Sequence, residues 1–186
     1  MRIIAGTFRS RQLKPLRRLP IRPTSDMLRE TLFNILGPRV EGSRFLDLFA
    51  GSGAVGIEAI SRGASQVVFV ENHRSAAHLI SQNLALLEIA GCARLIPTDA
   101  LGAISQLESE PAASFAIVFL DPPYANERDY RSVLQALEKS SLIDNSSLVI
   151  AEHRKTFSLP PAIGRLQQFR TLKQGDAALS FYRLTF

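Results

Sequence analysis

The sequence predicts an α/β fold: a mainly parallel, seven-stranded sheet with helices on both faces, a closing antiparallel hairpin, and a small N-terminal β-hairpin extension. Three observations carry that expectation. From residue 44 onward, short apolar runs alternate with segments whose apolar residues recur at helical spacing. That is the pattern of a parallel sheet covered on both faces. The first run, residues 45–49, passes straight into Ala50-Gly51-Ser52-Gly53 and then into a helical pattern. Two final runs, 166–172 and 178–185, flank Lys173-Gln174-Gly175-Asp176-Ala177, a turn between strands.

Taken in order, Arg2-Ile3-Ile4-Ala5-Gly6 is a short β-type run closed by glycine, and residues 8–13 can pair back on it. Pro15, Pro20 and Pro23 keep the chain from continuing a regular element. Thr24 or Ser25 can cap a helix whose Leu28, Leu32, Ile35 and Leu36 share a face. Asp26 and Glu30 favour its positive end, and capping alone explains Thr24, Asp26 and Glu30. Gly37-Pro38 stops that helix. Strands are predicted at residues 44–49, 66–71, 93–97, 115–120 and 147–152. Helices are predicted between them at 53–62, 73–88, 100–107 and 130–139. Crossovers should be right-handed. Ligands of such sheets lie beyond the carboxyl ends of the strands.

A chain of 186 residues, 46% hydrophobic, suits one domain with a sizeable core. A single cysteine, Cys92, excludes an internal disulfide framework and fits a reducing compartment. No apolar run approaches the roughly 20 residues of a membrane span, and the N-terminus lacks a signal peptide's apolar block. A cytoplasmic monomer with no membrane contact is expected. Charge divides the chain at residue 22. Residues 1–22 hold seven basic side chains and no acid: Arg2, Arg9, Arg11, Lys14, Arg17, Arg18 and Arg22. Residues 23–186 hold 15 basic and 17 acidic residues. A basic arm on a nearly neutral body is a nucleic-acid binder's footprint, though a solvated tail has the same charge.

Four acids fall near the ends of successive strands: Asp47, Glu71, Asp99 and Asp121. Gly51-Ser52-Gly53-Ala54-Val55-Gly56 matches G-x-G-x-x-G, with Glu71 twenty residues after Gly51. That is the dinucleotide fingerprint, so a nicotinamide-dependent oxidoreductase is one reading. Asp47 argues against it, because a carboxylate there would repel a pyrophosphate. A cationic adenosine ligand, S-adenosylmethionine, fits better. Asp47 can face its methionine end, Glu71 its ribose hydroxyls, and Asp99 its adenine amine. Helix capping remains the alternative for each, most of all for Asp99. Asp121-Pro122-Pro123-Tyr124 is the most specific signal. Two prolines fix two φ angles and remove two N–H donors. The corner then offers carbonyl acceptors, a carboxylate and a flat ring, a set suited to a planar exocyclic amine. His73, His78 and His153 lack metal-site spacing with Cys92 or each other, and no metal is expected.

Together these motifs resemble the Rossmann-like S-adenosylmethionine-dependent methyltransferases that act on amino groups. Arg2-Ile-Ile-Ala-Gly, Arg22-Pro-Thr, Arg29-Glu-Thr-Leu-Phe-Asn and Ser61-Arg-Gly-Ala extend the resemblance to the bacterial 16S ribosomal RNA guanine-N2 methyltransferases. It implies methylation of one guanine amine of 16S rRNA, as rRNA or in an assembling small subunit, with S-adenosylhomocysteine as product. It implies that Asp47, Phe49, Ala50, Gly51, Ser52, Gly53, Glu71, Asp99, Ala100 and Asp121 line the cofactor site. By the same resemblance Asp121, Pro122, Pro123 and Tyr124 hold the guanine, and Arg22, Thr24, Asp26, Arg29 and Glu30 close over the site. The basic side chains of the arm, with Arg29, would grip RNA, leaving the cofactor site independent of the arm. The tetrapeptide alone fits an adenine-N6 or protein glutamine methyltransferase equally, and a non-catalytic RNA-binding module would keep the fold.

Overall fold

The computed structural model describes residues 1–15, 24–123 and 127–185. The helices are α1 (Asp26–Leu36), α2 (Ala54–Ser61), α3 (Arg74–Leu86), α4 (Ala100–Glu108) and α5 (Glu127–Lys139). The strands are β1 (Arg44–Leu48), β2 (Gln66–Val70), β3 (Ala93–Ile96), β4 (Ile117–Leu120), β5 (Leu148–Arg154), β6 (Ala162–Ile163), β7 (Leu166–Gln174) and β8 (Ala177–Leu184). They form one sheet in the order β3-β2-β1-β4-β5-β8-β7-β6. The first five strands are parallel, and β8 runs antiparallel to β5. From β1 the chain builds outward to β3, then returns to the other side of β1 with β4. That reversal opens a crevice at the carboxyl ends of β1 and β4.

Strand alternation divides the core in two. Phe45, Val67, Phe69, Phe119 and Ile150 face one way, against α1, α2 and α3 through Leu32, Phe33, Val55, Ile57 and Ile80. Leu46, Leu48, Val68, Val118 and Leu120 face the other, against α4 and α5 through Ile104, Leu107, Val133 and Leu134. Ser25 caps α1, its side chain accepting from the Leu28 N–H at 3.1 Å. Gly37 ends that helix with φ 53°. No helix among the described residues is long and apolar enough to cross a membrane.

One expectation needs correction. The sheet has eight strands rather than seven, because the two-residue β6 pairs with Leu166 and Gln167 across Gly164. Two residues are too few for an alternation to be read. The N-terminal segment folds back on itself: Arg2 bridges Gln12 antiparallel, Ile3 N–H donates to the Arg11 carbonyl at 3.0 Å and Leu13 N–H to the Met1 carbonyl at 3.1 Å. Other donors dock it on α2: Ile4 and Ala5 N–H groups both donate to the Glu58 carboxylate, at 2.8 and 3.0 Å. Thr7 N–H donates to the Ser61 carbonyl, and Phe8 N–H to Ser61 Oγ. Gly6 permits that approach. With φ 81°, it lies where a Cβ would stand 1.7 Å from the Ser61 oxygen.

Candidate active site

Leu48, Val70 and Leu120 stand side by side at the ends of β1, β2 and β4, level with Ala151 in the middle of β5. The residue after each, on three of the four strands, is an acid: Glu71, Asp121 and Glu152. Asp47 sits one place before Leu48, so alternation turns all four carboxylates toward the α1–α3 face. Phe49 breaks the pattern on β1. Its φ of 64° turns the ring into the opposite core, a costly conformation for a bulky residue, often found beside ligand sites.

The bend that follows is tied to its neighbours at every step. Ala50 N–H donates to the Val70 carbonyl at 2.9 Å, and Gly53 N–H to the Ala50 carbonyl at 2.7 Å. Gly51 and Gly53 hold φ values of 57° and 79°. Glu71 accepts from Gly51 N–H at 2.8 Å through one oxygen and from His73 N–H at 2.7 Å through the other. Each oxygen keeps a second lone pair for a ligand hydroxyl. Asp47 is buried and accepts from Gly56 N–H at 2.9 Å, satisfying one orphan donor in the first turn of α2. Gly56 serves packing: a Cβ there would come within 2.3 Å of the Phe69 ring.

The Asp121-Pro122-Pro123 corner lies directly beside this bend. Asp121 N–H approaches the Leu48 carbonyl at 3.4 Å, across from Phe49. Pro122 is buried and Pro123 exposed. Tyr124 lies outside the described residues. Thr24, from the entry to α1, reaches over the sheet end and donates to a Glu152 carboxylate oxygen at 2.8 Å. Asp26 is half-exposed and ion-paired with Arg29 at 3.0 Å. Asp99 caps α4 by accepting from Gly102 N–H at 2.9 Å, with Ala100 buried behind it. His153 is buried, its ring nitrogens hydrogen-bonded to the Ser180 hydroxyl and the Arg154 carbonyl.

The electrostatics follow from gathering acids in a crevice. Burial pushes the Asp47 carboxyl up to about 7, against the Gly56 hydrogen bond and with help from the Glu71 charge. Burial also raises Asp121 well above the ordinary range, and the charges of Glu152 and Asp47 add to it. No ion pair among the described residues reaches Asp47, Glu71 or Asp121. Such a crevice favours a cation. Because their folded-state pKa values exceed the unfolded ones, the Asp47 and Asp121 carboxyls hold more protons in the ligand-free folded protein than in the unfolded chain between about pH 4 and 7, outnumbering the opposed effect of the buried His153, whose pKa burial lowers. The stability this confers is full below the unfolded value and is lost as pH rises through about 7. Thermal midpoints measured without ligand should therefore rise as pH falls from 8 toward 5.5. Asp47→Asn should flatten that slope; an unchanged slope would show that Asp47 titrates normally.

The N-terminal arm presents Arg2, Arg9, Arg11 and Lys14 to solvent. Arg17, Arg18 and Arg22 lie outside the described residues. Arg29 corrects an expectation. It is fully buried and reaches no surface where RNA could meet it. Its guanidinium donates to the Arg2 carbonyl and to Asp26, 3.8 Å from Glu58. Burial lowers its pKa, opposed by the charges of Asp26 and Glu58. Nor is the arm independent of the cofactor bend. Asn83 of α3 accepts from Lys14 N–H at 2.8 Å and donates to the Ser52 carbonyl at 3.1 Å. Asn83, Glu58 and Glu152 were not singled out by sequence. Their signals were a polar residue on the apolar face of α3, a lone acid in an apolar helix, and an acid ending a fifth strand.

The model of a family described as conserved hypothetical protein 95 matches residues 1–183. The ribosomal RNA small subunit methyltransferase D of Haemophilus influenzae is 34% identical over 185 residues, 99% of this chain and 92% of that one. The Escherichia coli K12 protein of the same name is 33% identical over 183 residues, covering 98% and 89%. A solved hypothetical protein of Thermus thermophilus superposes with a TM-score of 0.82 at 30% identity, covering 99% of both chains.

Proposed function

The chain belongs to the conserved hypothetical protein 95 family, among whose relatives are ribosomal RNA small subunit methyltransferases, and from that premise we propose that it uses S-adenosylmethionine to methylate the N2 amine of a guanine. The observation that supports this is the juxtaposition of the Asp121-Pro122-Pro123 corner with the Gly51–Gly53 bend, joined through Leu48. The bend, Glu71 and Asp47 hold the donor's ribose and methionine ends. Phe49, Ala50, Ser52, Asp99, Ala100, Thr24 and Asp26 complete its walls. S-adenosylmethionine supplies an electrophilic methyl group on a sulfonium.

With a cation in the crevice Asp121 is ionised and accepts one N–H of the guanine amine. A carbonyl of the proline corner accepts the other. Both bonds weaken the nitrogen's conjugation with its ring and aim its lone pair at the methyl carbon. The new N–C bond forms as the S–C bond breaks, and sulfur keeps that electron pair. Asp121 is placed to receive the proton that the methylated nitrogen sheds. Catalysis then rests mainly on positioning. The arm's Arg2, Arg9, Arg11 and Lys14 hold RNA by phosphate contacts.

Incubation with radiolabelled donor and undermodified small subunits, followed by nucleoside analysis, tests the reading. N2-methylguanosine is expected; N6-methyladenosine or no label would overturn it. Glu71→Ala should weaken S-adenosylhomocysteine binding by about 1–3 kcal/mol, the scale of a lost charge-assisted acceptor. Calorimetry checks this, with a nicotinamide dinucleotide as the control that should not bind.

A further inference from the structure

Residues 154–186 carry six basic side chains and one acid, Asp176. On β8, Leu179 and Phe181 belong to the core on the α1–α3 side, so Arg183 emerges on that same sheet face. A register shift between Gln168 and Arg170 leaves Phe169 as the extra residue on β7. Its ring leans on Phe181, with centroids 6.3 Å apart. The Arg183 guanidinium lies over Phe169 at 4.9 Å, and that of Arg170 over Phe181 at 5.8 Å. Phe169 is 47% exposed, and no other aromatic among the described residues is so open. No ion pair among the described residues neutralises Arg170 or Arg183.

This patch lies on the same sheet face as the site. Phe181 pairs with Ile150, two residues before Glu152 on β5. β7 lies two strands from β5, roughly 10 Å at the usual spacing. A flat ring, a guanidinium plane over it and a second arginine match what single-stranded RNA needs: surfaces for bases to stack on and cations for phosphates. The geometry points to the exposed patch of Phe169 and Arg170 on β7 with Arg183 of β8 as a second RNA contact, holding the strand that flanks the target nucleotide. This rests on the rRNA-methylating function and extends it to the side of the sheet opposite β3.

The test compares an Arg170→Gln/Arg183→Gln double variant, Phe169→Leu and Phe169→Tyr in the whole chain. Each is titrated with protein-free small-subunit rRNA and with undermodified small subunits. The double variant should bind protein-free rRNA at least about tenfold more weakly, with a salt slope shallower by about one to two. It should raise KM for subunits and leave S-adenosylhomocysteine affinity and the thermal midpoint unchanged. Phe169→Leu should weaken binding, and Phe169→Tyr should retain it, because only the latter keeps a stacking ring. Wild-type rRNA affinity in the double variant would overturn the inference. So would a loss confined to assembled subunits, which would assign the face to a ribosomal protein. A wild-type chain that binds rRNA through this face but methylates nothing would defeat the parent function and leave this contact standing.

Discussion

Asp121→Asn should lower turnover about a thousandfold or more and yet raise the thermal midpoint of the ligand-free protein. The loss is the scale of removing one preorganised group from a reacting centre. The gain follows from the same geometry. Asp121 is partly buried beside the charges of Glu152 and Asp47, which raises its pKa and makes its ionised form costly in the folded state. An amide of the same shape removes that repulsion. A relief of about 1 kcal/mol corresponds to roughly 2–4 °C for a chain of this size. Single-turnover assays on undermodified subunits read the first effect and thermal melts the second. S-adenosylhomocysteine affinity should stay within a few-fold, because the bend and Glu71 are untouched. Normal turnover would remove Asp121 from the reacting centre.

Glu58→Ala should cost about 3–5 kcal/mol, the range for breaking a buried ion pair from one side. The carboxylate is fully buried on α2. It accepts from Ile4 and Ala5 N–H groups, pairs with Arg62 at 2.7 Å and faces the buried Arg29. Its removal leaves two backbone donors without an acceptor and leaves the buried Arg29 charge with Asp26 alone. Urea unfolding measures the loss. An Arg29→Met/Glu58→Leu double variant should recover much of the stability, since apolar residues of similar volume fill such sites well. It should still bind rRNA weakly, because the Ile4 and Ala5 N–H groups then have no acceptor and Ser61 and Asn83 are left to hold the arm. A loss below about 1 kcal/mol in the single variant would mean that the arm is held by other contacts.

Most of the sheet was legible because buried parallel strands read as apolar runs, and the bend because small residues interrupt one. Glu71 and Asp121 stood out as acids ending such runs. Glu152 ends one too, but its importance depends on strand order, and only the pairing of β4 with β5 sets it beside Asp121. Arg29 was counted with the charges of the arm, although Leu28, Leu32, Phe33 and Leu36 around it mark the buried face of a helix. Charge type outweighed periodicity there. Asn83 and Glu58 were hidden for a different reason. Their backbone partners lie 31 to 69 residues away, and a backbone group leaves no mark on sequence.

The amide of Asn83, touching Lys14 on one side and Ser52 on the other, makes two clients of one fixture. On the proposed reading, a polynucleotide drawn against the first fifteen residues would press, through Asn83, on the bend proposed to hold the methyl donor. By thermodynamic reciprocity, whatever affinity one substrate lends the other is returned in equal measure. Titrating either in the presence of its companion would reveal a shared free energy that neither titration alone contains.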